Sequence, residues 1–257
     1  MFFRARRPMI HQLRTFIRYN HVAYLLRYLR EYRRFKRLCR QTGETTRIKP
    51  YPITIDYNGE AGHYDAHYFH QDLWAAQKIF QAAPETHVDI GSRLDGFISH
   101  LLVFHTDVVM LDVRPISKPI EHLRFIQTDG TTLSDIEDAS IQSISTLHAA
   151  EHFGLGRYND PLDPQGTQRF CHALQRVLKP GGRLYFSVPC GAEDVIYFNG
   201  HRVFKPHTIL GYFSELSLRS FSCVLDDNNF YANTDPARCH DQRFACGLFE
   251  FEKPVSQ

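Results

Sequence analysis

The sequence predicts an α/β fold, a mostly parallel sheet with helices on both faces. Three observations carry that expectation. His87-Val-Asp-Ile-Gly-Ser-Arg-Leu-Asp-Gly96 is an apolar run that ends in an acid and a glycine-bearing turn, then enters the apolar run around Phe97, Ile98, Leu101 and Leu102. Such a strand, tight loop and helix is where an open α/β sheet binds a nucleotide-like ligand. A second apolar run, Val108–Leu111, ends in Asp112, a carboxylate placed to accept hydrogen bonds from two ribose hydroxyls. From there strand-like and helix-like pieces alternate to the end of the chain, the pattern of a parallel sheet.

The elements follow in order. From Ile10 to about Leu38 the apolar positions Ile10, Leu13, Ile17, Tyr24, Tyr28, Tyr32, Phe35 and Leu38 form one helical stripe, with arginines on the remaining surface. The helix is expected to stop near Gly43, and Lys49-Pro-Tyr-Pro52 reads as an extended connector. Residues 1–45 are thus a basic amphipathic arm, 46–71 a connector and 72–257 the body. Asp72–Phe80 reads as a helix. Val88–Gly91, Val108–Asp112, Phe125–Thr128 and Ile141–Leu147 read as strands, with a helix at Gly96–Phe104. Gln165–Leu178 is a periodic helix stopped by Lys179-Pro-Gly-Gly182 before the strand Arg183–Val188. His207–Leu216 reads as a helix. Two late strands, Ser220–Leu225 and Phe244–Phe251, have no long helix between them, so the last is a candidate antiparallel strand.

Charge narrows the function. The net charge is +2, yet residues 1–40 hold twelve arginines and lysines against Glu31 alone, so the rest of the chain is acidic. The body is no general polyanion binder, and no nucleic acid is expected. The arm either packs on the body or on a second subunit of a homo-oligomer, or docks on an anionic membrane surface or an acidic protein partner. Six scattered cysteines without a C-x-x-C pair predict a reduced, cytosolic protein, peripheral at the inner face of the membrane if the arm binds lipid. No apolar run reaches the length of a membrane span, and arginines break any secretory signal.

His148-x-x-Glu151-His152 matches the H-x-x-E-H pattern of inverted zinc peptidases, a chemistry that needs both histidines on one helical face. Here the motif follows a strand directly, and Gly154 and Gly156 cut short any helix, so no metal is expected.

Asp89, Gly91 and Asp112, with Thr128-Asp129-Gly130 and Leu178-Lys-Pro-Gly-Gly-Arg-Leu-Tyr-Phe-Ser-Val-Pro189, make residues 72–252 resemble the class I S-adenosylmethionine-dependent methyltransferases. The run His148–Pro164 is similar to an uncharacterised branch, a domain of unknown function, associated with bacterial surface-sugar biosynthesis. The resemblance implies a Rossmann-like, doubly wound, seven-stranded sheet and S-adenosyl-L-methionine as cofactor. It places Asp89, Gly91 and Ser92 at the amino-acid end, Asp112 at the ribose, and Asp129 with Gly130 at the adenine. The family loop reads acid-x-Gly-x-Gly-x-Gly, whereas this chain has Arg93 and Asp95 at the second and third glycines and Gly96 one place later. Arg93 either meets the cofactor carboxylate or points to solvent.

The resemblance implies methyl transfer to oxygen or nitrogen of a small polar acceptor, a saccharide or nucleotide-sugar in surface polysaccharide biosynthesis. His152, Glu151 and His148, in that order, are the candidate bases. Arg157, Tyr158, Asp160 and Asp163 in the loop after them, with His201 and Arg202, are the candidate acceptor contacts. The alternative is a non-catalytic module of the same fold, docked to a membrane or partner by its basic helix.

Overall fold

The computed structural model describes residues 7–53, 61–62, 64–104, 107–158 and 160–255, with side chains from residue 22 onward. Arg4, Arg6 and the side chains of Ile10, Leu13 and Ile17, expected on the arm, lie outside the described residues, as does Asn159 in the loop after His152. The chain divides into two compact units, Met1–Tyr64 and Asp65–Gln257.

The first unit is built on α1 (Arg7–Thr42), a helix of 36 residues that ends at Gly43 in the left-handed region (φ 74°). The expected aromatic stripe is partly covered. Tyr24, Tyr28 and Tyr32 are half-buried, and the Tyr28 hydroxyl accepts the Tyr51 amide at 2.7 Å, tying the connector back onto the helix. Phe35 and Leu38 remain exposed. No described helix is long and apolar enough to cross a membrane.

The second unit opens with α2 (Ala66–Ala82), whose N-cap Asp65 accepts the amides of His67 and Tyr68. The helix begins six residues before the expected Asp72, because His67, Tyr68 and His70 disguise its first turn as polar connector. The strands are β1 (His87–Ile90), β2 (Val108–Asp112), β3 (Leu123–Gln127), β4 (Ile141–Leu147), β5 (Leu178–Cys190), β6 (Val195–Tyr197), β7 (His201–Val203), β8 (Ser217–Val224), β9 (Phe230–Tyr231) and β10 (Ala245–Glu252). The main sheet runs β3-β2-β1-β4-β5-β10-β8-β9. Its seven long strands match the expected doubly wound sheet, and the two-residue β9 extends one edge. β1 to β5 are parallel, while β10 inserts antiparallel between β5 and β8, as its lack of a preceding long helix indicated.

Helices α3 (Ser99–Phe104), α4 (Gly166–Val177) and α5 (Pro206–Tyr212) complete the layers. Every residue of β1 and β2 is buried, since both faces of a central parallel strand are covered, and this is why Val108–Leu111 reads as a continuous apolar run rather than an alternation. On β5, Leu184, Phe186 and Val188 enter one core with Phe170, Leu174, Phe213 and Phe249. Tyr185, between them in sequence, enters the other with Trp74, Ile79, Phe97 and Leu101. Lys179–Gly182 stops α4 at Val177 as expected, but then loops within β5. Ile141 pairs with Leu178 and Ser143 with Arg183, so the Pro-Gly-Gly excursion is absorbed as an irregularity between strands. The β6-β7 hairpin after β5 carried no periodicity long enough to be read from sequence.

Candidate functional site

The strand ends Ile90, Leu111 and Leu147, with Pro189 near the end of β5, open onto a cavity of about 470 Å³ at the C-terminal edge of the parallel strands. That edge is where open α/β sheets bind ligands. Gly91, Arg93, Asp112, Asp129, Gly130, His148, Glu151, His152, Arg157, Tyr158, Asp160 and His201 all line it. Those are twelve of the seventeen residues that sequence reasoning singled out. Asp89, Ser92, Gly96, Asp163 and Arg202 lie outside the lining.

The first loop shows why. Asp89 is fully buried and faces inward, its Oδ2 accepting the hydroxyls of Ser92 (2.7 Å) and Ser145 (2.6 Å), its Oδ1 the Ser92 amide (3.1 Å). Burial pushes its carboxyl up to about 7, against those three donors. Ser92 in turn accepts the Leu147 amide, so acid and serine lock the β1 turn to β4. Gly91 makes the turn at φ 76°, and a Cβ there would stand 3.0 Å from the Ala149 Cβ. Then the chain enters a π-helical turn, Leu94–Ile98, rather than a glycine-rich loop. Gly96 serves packing: a Cβ there would lie 2.5 Å from the Asp72 carboxylate. Arg93 pairs with Asp95 at 3.0 Å and lies over the Tyr68 ring at 5.0 Å, mostly exposed on the rim.

At the tip of β2, Asp112 is engaged by Arg114 through Nε (2.9 Å) and Nη2 (2.6 Å), and it also accepts the Arg114 amide. Arg114 lies over the Tyr158 ring at 4.9 Å, and Arg157 lies 5.3 Å from the same ring. Asp129 is exposed and accepts the amide and hydroxyl of Thr131, while a Cβ on Gly130 would meet Ile90 and Phe153.

On the far wall, Ala150–His152 is a single 3-10 turn, and His148 precedes it at φ 49°. No helical face therefore presents His148 and His152 together, and the inverted zinc-peptidase geometry does not form. Glu151 sits between the two rings instead, 2.8 Å from His148 Nδ1 and 3.8 Å from His152 Nε2. Burial opposes ionisation of Glu151, but the two histidines hold its carboxyl below the ordinary range. Burial opposes charge on His148 too, yet the Cys246 thiol and Glu151 draw it well above its usual value. His152 behaves oppositely: burial lowers it. Its Nδ1 lies 2.7 Å from the Gly200 carbonyl, which only accepts, and 3.3 Å from Arg157 Nη1, which donates to that carbonyl at 3.0 Å; the short carbonyl contact favours the proton on Nδ1 and leaves Nε2 unprotonated on the Glu151 side.

The loop after His152 is ordered by its own turns. Asp160 accepts the amides of Gly154, Gly156 and Tyr158, and Asp163 accepts the Gln165 amide and pairs with Arg169. Arg202 is buried beneath that loop, where it donates to the carbonyls of Phe153, Asp163 and Pro164 and to the Thr167 hydroxyl. Sequence reasoning missed Arg114, His67, Tyr68 and Phe244 on the cavity wall. Arg114 had one signal, a cation two residues past a strand-end acid. The others come from elements whose approach to β4 is purely tertiary.

A family model described as "Caenorhabditis protein of unknown function, DUF268" matches residues 134–215, and no curated protein matches. Among solved structures, a putative sarcosine dimethylglycine methyltransferase from Galdieria sulphuraria superposes with a TM-score of 0.52 at 13% identity, covering 72% of this chain and 86% of that one. The [4+2]-cyclase SpnF gives 0.51 at 13% identity over 70% and 82%. N-methyltransferase NodS from Bradyrhizobium japonicum WM9, crystallised with S-adenosyl-L-homocysteine, gives 0.49 at 16% identity over 80% and 93%. The fold is that of the class I methyltransferases. At these identities the class I likeness is one of architecture, and a structure named a cyclase shares it, so the fold alone does not fix the chemistry.

Proposed function

We propose that this protein is an S-adenosylmethionine-dependent methyltransferase acting on oxygen or nitrogen of a small polar acceptor, a saccharide or nucleotide-sugar of surface polysaccharide biosynthesis. The observation that carries the reading is the pairing of Gly91, which makes the β1 turn at φ 76°, with the Asp112 carboxylate one strand away on the same cavity. The donor set fits the cofactor. Gly91 and Gly130 line the cavity with their Cβ sides turned onto Ala149 and onto Ile90 and Phe153, Asp112 offers two acceptor oxygens to a diol, and Asp129 with Gly130 forms the wall expected at the adenine. S-adenosylmethionine, when bound, supplies a methyl group on an electrophilic sulfonium.

This chain's part is alignment and proton removal. His152, neutral and with Nε2 unprotonated, takes the acceptor's proton, and the Glu151 carboxylate 3.8 Å away stabilises the resulting imidazolium. Arg157 and His201 face the same space and hold the polar acceptor. The exposed apolar residues Val22, Leu25, Leu26 and Leu29 among the arginines of α1 support docking of the arm on an anionic membrane. Calorimetry with S-adenosylmethionine and S-adenosylhomocysteine tests the cofactor, and radiolabelled methyl transfer to a panel of saccharides and nucleotide-sugars tests the acceptor. Absence of heat at millimolar cofactor ends the proposal. That result would favour the non-catalytic module, a reading supported by the Arg114 clasp on Asp112.

A further inference from the structure

Three donor groups from distant parts of the chain meet beside the cavity without a role in methyl transfer. His67 stands in the first turn of α2, His148 follows β4, and Cys246 lies near the start of β10. Because β10 runs antiparallel, its first residues reach the same sheet edge as the end of β4, and the N-terminus of α2 crosses there. One ligand atom from each residue lies within 4.8 Å of the other two. His148 and Cys246 are buried, and His148 Nε2 has no hydrogen-bond partner among the described residues. Its other nitrogen is held by the Glu151 carboxylate at 2.8 Å, which fixes the ring with Nε2 turned to the cluster.

We propose that His67, His148 and Cys246 bind one zinc-class divalent ion whose fourth position opens to the cavity that the two histidines line. Two imidazoles and a thiolate are a borderline-soft set suited to zinc, and three protein ligands with one open position are the form taken by catalytic rather than structural sites. Glu151 behind His148 supplies the carboxylate–histidine–metal relay that orients a ligand ring. In a tetrahedral zinc site the donors stand roughly 3.4–3.6 Å apart, so the cluster closes by about an ångström on the ion. The moving part is His67. Its ring lies parallel to His148 at 5.5 Å and to Phe244 at 5.5 Å, and it is only half-buried, so it turns out of the stack to share an ion with His148. On coordination the Cys246 thiol gives its proton to solvent. This H-x-x-E-H segment thus contributes one ligand and one orienting carboxylate, while His152, bound to Gly200, stays outside as the base.

The ion does not depend on the methyltransferase reading and is tested apart from it. Full-length protein, stripped with chelator and titrated with Co²⁺, is expected to take up one equivalent. Visible d–d bands and a near-ultraviolet thiolate-to-cobalt band should appear. Cys246→Ser should abolish the near-ultraviolet band, and His67→Ala or His148→Ala should weaken Co²⁺ at least tenfold. Cys171→Ser, which alters a buried thiol elsewhere, should change neither. A protein that shows no thiolate band, or keeps it after Cys246→Ser, overturns the site. Should Cys246→Ser fail to fold, His67→Ala decides alone: folded by circular dichroism with undiminished Co²⁺ affinity, it overturns the proposal. Calorimetry with S-adenosylhomocysteine reports on the nucleoside independently of either result.

Discussion

Arg114 clasps Asp112 side-on: its Nε lies 2.9 Å from Oδ1 and its Nη2 lies 2.6 Å from Oδ2. The carboxylate we propose to hold a ribose is already engaged by the chain's own cation, which is itself half exposed and stacked on Tyr158. A diol arriving at Asp112 competes with that guanidinium. Asp112→Ala is expected to weaken S-adenosylhomocysteine by roughly 10–100-fold, the worth of hydrogen bonds to a charged acceptor. Arg114→Ala is expected to tighten it by a few-fold. Calorimetric Kd values for the two variants check the pair, and an unchanged Kd in Asp112→Ala removes the nucleoside assignment.

Gly91 carries both turn and cavity. An alanine there keeps φ 76° only in the left-handed region and sets its Cβ 3.0 Å from Ala149. The conformational cost is about 1–2 kcal/mol, so urea denaturation of Gly91→Ala should show a lower midpoint at unchanged slope.

Arg202 is expected to act through stability rather than contact. Arg202→Met strands the carbonyls of Phe153 and Pro164 under the loop after His152 and leaves that of Asp163 only the Gly166 amide, at a cost of roughly 2–4 kcal/mol. Arg202→Lys restores little, because a point ammonium cannot span three carbonyls as the planar fork does. Thermal melts of both variants measure it, and a Met variant as stable as the parent refutes the anchoring role.

The contribution of two buried carboxyls to stability should fall as pH rises from about 4 to about 7. Burial raises the Asp89 carboxyl to about 7 and the Asp72 carboxyl to about 6. A group raised in the folded state lends its full stability below its unfolded pKa, about 4 for aspartate, and loses it as pH climbs through the folded value. For Asp89 the full shift corresponds to something on the order of 4 kcal/mol. Asp89→Asn, which cannot ionise, should flatten that part of the Tm–pH profile and leave the smaller Asp72 share. A profile equally steep in the variant contradicts the assignment.

The strands that build the floor of the cavity were legible because local chemistry fixes them. A central parallel strand buried on both faces favours an apolar run, clearest in Val108–Leu111 of β2 before Asp112, whereas β1 and β4 set their apolar residues among the buried polar His87, Asp89, Ser143, Ser145 and Thr146. A serine, a histidine or an arginine carries no such mark. Nothing local distinguishes the acid of β1, turned inward to Ser92 and Ser145, from the acid of β2, turned to the cavity. Nothing local tells Arg202 under the loop from Arg157 above it. The sequence by itself determined the alternation of elements, the antiparallel last strand and the acid-tipped edge, since periodicity and turn residues are properties of neighbours. Only the tertiary structure decided which polar groups face the ligand space and that His67, His148 and Cys246 meet. Those choices depend on which strand edge each distant segment reaches, and a chain encodes that through the packing of its whole core.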